Sequence, residues 1–106
     1  MVSRGDVWLA VLDPTVGNEI QRTRPCLVIS PSEINDHLSV VLIAPMTSGS
    51  RPAPFRVPAQ FGGVDGFILL EQTRALDRHR LIRKLGRIES IVLAQTLQAA
   101  RDLYED

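Results

Sequence analysis

The sequence is poor in cysteine, histidine, lysine and aromatic residues: among 106 residues it has Cys26, two histidines, one lysine and five aromatics. A single thiol cannot close an internal disulfide, so a packed core has to hold the fold. Cys26 lies in the apolar run Cys26-Leu27-Val28-Ile29, where a thiol serves as a small buried hydrophobe rather than as a nucleophile. Two scattered histidines and one cysteine lack the spacing of a metal-ligand set, and no metal or other cofactor is expected. His37 follows Asn35-Asp36 in a turn and His79 sits among arginines. Both read as surface residues, which speaks against a pair of imidazoles acting as acid and base. No apolar run reaches the roughly 18 residues of a membrane span, and no cleavable leader is visible. The expectation is a cytoplasmic protein with no membrane contact. An aromatic content of 5% counts against a plain peptide-recognition module, which works through an aromatic-lined groove.

The chain has a normal share of apolar residues, 44%, with 23% charged. That is ample for one core and places the chain outside the disordered regime. Residues 1–106 are read as a single domain. The net charge is zero, but it is unevenly spread. From Arg74 to Arg87 six cations stand against Asp77 alone, a local charge of +5 that the rest of the chain cancels. Eleven of the twelve cations are arginine, whose planar fork suits phosphate oxygens better than the point charge of lysine. By itself such a cluster is as compatible with a solvated, salt-bridged surface as with a phosphate site.

Residues Asp6 to Leu12 are β-prone and bounded by Gly5 and Asp13-Pro14, which predicts a strand. Asp13 to Thr23 carries Pro14, Gly17 and Asn18 without a burying period and reads as a long, mobile loop. Further strands are predicted at Pro25–Ile29, Ser39–Pro45, Pro54–Pro58 and Phe67–Leu70, with a short one at Leu85–Ile88. Only the last segment has a helical period, with Leu93, Leu97, Ala100 and Tyr104 on one face and Ser90 as the N-cap. Short strands followed by one helix predict an α+β domain on a small, curled antiparallel sheet or partly open barrel.

Several segments, in order and at matching spacing, resemble the MazF/PemK toxin family: Arg4-Gly5-Asp6-Val7-Trp8, Asp13-Pro14-Thr15-Val16-Gly17-Asn18-Glu19, Arg24-Pro25-Cys26-Leu27-Val28-Ile29-Ser30 and Ile43-Ala44-Pro45-Met46-Thr47-Ser48. Phe55-Arg56-Val57, Ile68 to Asp77 and Arg83 to Ile88 extend the likeness over nearly the whole chain. The resemblance implies an SH3-like antiparallel β-barrel with a C-terminal helix, acting as a homodimer. It further implies cleavage of single-stranded RNA at short sequences without a metal, and restraint by a MazE-like antitoxin with an acidic tail.

Such cleavage needs a base for the 2′-OH proton and donors for the charge that develops on phosphorus. By the resemblance, Arg24 and Thr47 match the catalytic arginine and threonine. A guanidinium stays protonated, so Arg24 is assigned to phosphate binding and transition-state charge; Thr47 would donate its hydroxyl from a strand end. Without the family, Arg24 would read as a surface ion pair and Thr47-Ser48-Gly49-Ser50 as a turn. Glu19 is the favoured base and Glu71 its competitor. Some family members carry Arg-x-Asp on the later strand; here those positions are Leu69 and Glu71, so the arginine is missing. Gln21, Ser48, Arg51, Glu71, Gln72 and Arg74 are the candidate substrate-binding residues, with Ser48 to Pro54 flanking a groove for unstacked bases.

The rival reading is a non-catalytic toxin or binding module on the same fold, such as a CcdB-like gyrase inhibitor. That family is expected to end in Trp-Gly-Ile, whereas this chain ends Leu103-Tyr104-Glu105-Asp106.

Overall fold

A computed structural model describes residues 1–12 and 23–105. Glu19 and Gln21, and with them all of the predicted first loop except Thr23, lie outside the described residues. The described chain folds into seven strands, two helices and two single 3-10 turns. The strands are β1 (Asp6–Val11), β2 (Thr23–Val28), β3 (Val40–Thr47), β4 (Arg56–Phe61), β5 (Val64–Leu69), β6 (Arg74–Asp77) and β7 (Leu81–Arg87). The helices are the one-turn α1 (Ser32–Asn35) and the closing α2 (Ser90–Leu103).

The sheet runs in the order β4-β5-β3-β2-β1-β7, with β6 also on β3, and its pairings are antiparallel. One strand holds it together. β3 pairs with β6 through Val40–Ile43, with β2 through Ile43–Pro45, and with β5 through Met46 and Thr47. β2 and β3 part after the Cys26–Pro45 pair, while Met46 and Thr47 of β3 go on to pair with Ile68 and Phe67 of β5. A long strand shared by neighbours on different sheets is how a small sheet curls on itself.

The apolar residues of these strands make the core. Val7, Leu27, Ala44, Val57, Ile68 and Leu70 cluster with Ile88 and with Val92 of α2. Ala10, Cys26, Val28, Val41, Ile43 and Leu76 form a second cluster. At roughly 25 cal/mol per Å² of apolar surface, such burial is the main stabilising term. The predicted helix is present, but its buried face falls one residue earlier than the predicted stripe. Val92 and Thr96 are buried, Leu93 and Ala100 pack at the margin, and Tyr104 is exposed. The Thr96 hydroxyl is satisfied by donating to the Val92 carbonyl at 2.8 Å, which lets a polar side chain sit in the apolar face. Ser90 is the first helical residue rather than the cap; Glu89 occupies the N-cap without a side-chain capping bond.

The β4–β5 hairpin is longer than predicted. Gly62 and Gly63, both at positive φ, turn the chain between Phe61 and Val64, as a two-residue hairpin turn requires. At the far side of the sheet, a side chain at Gly86 of β7 would meet the Phe61 ring at 3.2 Å. The ring on one edge strand thus rests against the bare backbone of the other, bringing the two ends of the strand order together.

The Arg4-Gly5-Asp6 segment is an anchor. Asp6 is fully buried. Its Oδ2 accepts from the Ser3 N–H at 2.9 Å and the Trp8 indole at 3.4 Å, and its Oδ1 accepts from Arg87 Nη1 at 2.6 Å, with Lys84 Nζ at 3.4 Å. Burial pushes the carboxyl pKa up, but the hydrogen bonds from Ser3, Trp8 and Lys84 and the Lys84 charge prevail and hold it below its ordinary value. Gly5, at φ 95°, leaves no room for a side chain against Arg87 and Leu93. Its N–H donates to the Val28 carbonyl and its own carbonyl accepts from Ile88, both at 2.9 Å.

Candidate active site

Where β2 and β3 separate, a groove of about 430 Å³ opens between them and the β4–β5 hairpin. On the β2 and β3 side it is lined by Thr23, Arg24, Pro25, Met46, Thr47 and Ser48. On the hairpin side the lining is apolar, with Ala59, Phe61, Val64, Gly66 and Phe67. Arg24 and Thr47 each lie two residues beyond the last β2–β3 pair, on opposite banks of the split. Strand backbone on both sides fixes them: Arg24 pairs with Ala10 of β1, and Thr47 with Phe67 of β5.

The Thr47 peptide is held by an absence. A Cβ on Gly66 would lie 2.1 Å from the Thr47 carbonyl oxygen and 3.1 Å from Ser48 Cα, so only glycine allows β5 to pass this close. The Thr47 hydroxyl accepts from the Gly49 N–H at 3.2 Å, which turns the chain out of β3 and leaves its proton available to a ligand. Arg24 is exposed, and among the described residues no carboxylate pairs with its guanidinium. Beneath it, the buried Cys26 thiol contacts the Arg24 carbonyl at 3.5 Å. Burial pushes that thiol up to about 12, against the opposing charges of Arg24 and Arg74. At neutral pH it is protonated and inert, as its apolar setting predicts.

Of the sequence-predicted site residues, Arg24, Thr47 and Ser48 line the groove. Arg51, Glu71, Gln72 and Arg74 do not line it. Arg74 lies close enough for its charge to reach Cys26 and pairs with Ile43 on β3. Glu71 and Gln72 form a 3-10 turn after β5. The arginine absent at Leu69 is supplied across the strand: Arg56 of β4 stands in register with Leu69. Its Nε and Nη2 both bond Glu71 Oε2, at 2.8 and 2.7 Å. Arg56 Nη1 also donates to the Arg51 carbonyl at 3.1 Å, so Glu71 is tied to the loop after Thr47. Among the described residues, no three His, Cys, Asp or Glu side chains gather as a metal-ligand set. The apolar hairpin side of the groove escaped sequence reading. Its one signal is the Gly-Gly pair flanked by Phe61 and Val64, a hairpin signature that Pro58 obscured.

A curled antiparallel sheet with a closing helix, and a groove lined by an arginine and a threonine from its two parting strands, defines the class: a small α+β domain with a cationic, hydroxyl-bearing cleft. Comparison with known proteins narrows that class. Residues 3–104 match the family described as PemK-like, MazF-like toxin of type II toxin-antitoxin system, and the chain belongs to that family. It is 39% identical to the endoribonuclease toxin ChpB of Escherichia coli strain K12, over 96% of this chain and 93% of that protein. It is 33% identical to the endoribonuclease PemK of Escherichia coli, over 91% of this chain and 77% of that one. A chain in the crystal structure of MazE-MazF (form II) from Deinococcus radiodurans superposes with a TM-score of 0.80 at 30% identity, covering 96% of this chain and 94% of that chain. The α+β expectation of a partly open barrel with a C-terminal helix agrees with that likeness.

Proposed function

We propose that this protein is a toxin endoribonuclease that cuts single-stranded RNA without a metal and thereby blocks translation and growth. The observation that carries the reading is that Arg24, with no carboxylate partner among the described residues, and Thr47 line one groove in a chain of this family. The 2′-OH attacks phosphorus, the bond to the departing 5′ oxygen breaks, that oxygen takes a proton from solvent water, and the products are a cyclic phosphate and a 5′-hydroxyl end. Arg24 binds the phosphate and stabilises the charge of the transition state, and Thr47 donates a second hydrogen bond to the same oxygens. Ser48 adds a donor beside it. Glu19 takes the 2′-OH proton. It precedes β2 by four residues, whereas Glu71 Oε2 already accepts two bonds from Arg56 away from the groove.

The working unit is a homodimer paired about a two-fold axis through exposed apolar residues such as Ile82, Ile91 and Tyr104. A cognate MazE-like antitoxin neutralises it in the cytoplasm; solved relatives of this fold include MazE-MazF complexes. A monomer by light scattering at micromolar concentration would count against the dimer.

The test is cleavage of a long single-stranded RNA in excess EDTA, with Arg24→Ala and Thr47→Ala alongside the wild type. Cuts at a short recurring sequence with 5′-hydroxyl ends, lost in both folded variants, are the expected result. Intact RNA with pure wild-type protein, with or without divalent metal, overturns the enzyme in favour of a binding toxin.

A further inference from the structure

We infer that the apolar hairpin side of the groove is a nucleobase subsite, in which a base next to the scissile phosphate stacks against Phe67 with Phe61 and Val64 beside it. The inference rests on the endoribonuclease reading and adds to it a binding element that comes from the β4–β5 hairpin.

The chain holds five aromatic residues, and two of them, Phe61 and Phe67, line this one groove. Phe67 stands directly opposite Thr47 in the β3–β5 register, and residues paired this way project to the same face of the sheet. A planar apolar surface is therefore built immediately beside the hydroxyl assigned to the phosphate. Val64, at the hairpin tip, is 56% exposed, an apolar side chain kept at the groove rather than in the core. The groove thus has a cation and hydroxyls on its β2–β3 side and aromatic and aliphatic surface on its hairpin side. A bare phosphate would use only the first side, and an apolar ligand only the second. A nucleotide uses both, since it carries an anion and a flat, weakly polar ring system a few ångströms apart. Its volume of about 430 Å³ is within the usual span for a small-molecule site. Stacking is sequence-tolerant, because every base has a π-face, so this subsite supplies affinity and holds the sugar in place for attack while neighbouring contacts choose the sequence.

The experiment measures binding of a single-stranded oligonucleotide bearing the protein's own cut sequence, with a 2′-deoxy sugar at the cut so that no cleavage occurs. Matched oligonucleotides lack one of the two bases flanking the cut. Wild type should lose on the order of tenfold to hundredfold in affinity for one of these abasic strands, the range for a base on an aromatic ring. Phe67→Ala should lose a similar factor on the intact strand and nothing further on that abasic strand, whereas Phe67→Trp retains the binding. Equal abasic losses in wild type and Phe67→Ala, or no abasic loss in wild type, overturn the subsite. If Phe67→Ala does not fold, Val64→Asp replaces it, with the same non-additivity expected. RNA cleavage intact in wild type with no abasic effect removes the subsite alone; no binding or cleavage of any RNA removes the endoribonuclease reading and the subsite with it.

Discussion

Two arginine-bearing corners of the molecule are built in opposite ways. At the N-terminal anchor, Asp6 is buried and bonded on both oxygens, and Arg87 is committed to it. At the groove, Arg24 has no carboxylate partner among the described residues and Thr47 makes one short-range bond. The first corner uses its charge to hold strands together, and the second leaves its charge without a carboxylate partner among the described residues, as the proposed phosphate role requires. Motif residues that look equivalent in the sequence therefore separate into a stabilising set and the set to which the proposed mechanism gives the reaction.

The sharpest way to break this contrast is to remove the second set. Arg24→Ala and Thr47→Ala are each expected to lower the cleavage rate by about a hundredfold or more, with thermal unfolding of the folded protein unchanged to within a few degrees. Gly66→Ala comes next. Its Cβ would force the Thr47 peptide aside, so activity should fall at least tenfold at a temperature where circular dichroism shows the variant still folded. At the anchor the order of effects reverses. Asp6→Ala should cost ~2 kcal/mol or more of unfolding free energy, as lost charge-assisted bonds at a buried site do, with cut-site choice unchanged; a denaturant titration beside end mapping checks both. Because the folded Asp6 pKa is depressed, its stabilising contribution is complete above its unfolded value near 3.8 and is lost as pH falls through the lower folded value. Asp6→Asn should flatten the acid limb of the stability curve in that window. The smallest effect concerns Cys26. With its pKa near 12, the native thiol should be alkylated far more slowly at pH 8 than the same thiol in denaturant.

How far the sequence could be read depended on which principle governed each segment. β1, β2 and β3 are apolar runs bounded by turn residues, and they fall where patterning puts them. β4 does not stop at Pro58, because among the described residues β4 is an edge strand paired with β5 alone, and an edge tolerates a residue with no N–H to donate. β7 begins at Leu81, four residues before its predicted start, since exposed Arg83 and Lys84 gave it a polar look that charged edge strands commonly have. In α2 the buried Thr96 hid the true face. At the site, Arg24 and Thr47 were legible through the family likeness alone, as nothing in their spacing sets them across a groove. That arrangement follows from β2 and β3 parting after the Cys26–Pro45 pair, a tertiary event with no local signature. Phe61, Val64 and Gly66 went unread for the same reason.

The Asp6–Arg87 bond joins residues 81 positions apart. During synthesis, every groove-lining residue therefore leaves the ribosome before the strand that locks β1 into place. Contacts of such separation form late and slowly, so an unfinished chain carries the parts of the blade without its clamp. Since β1 is the strand on which Arg24 is paired, the groove gains its second support only once β7 has been made.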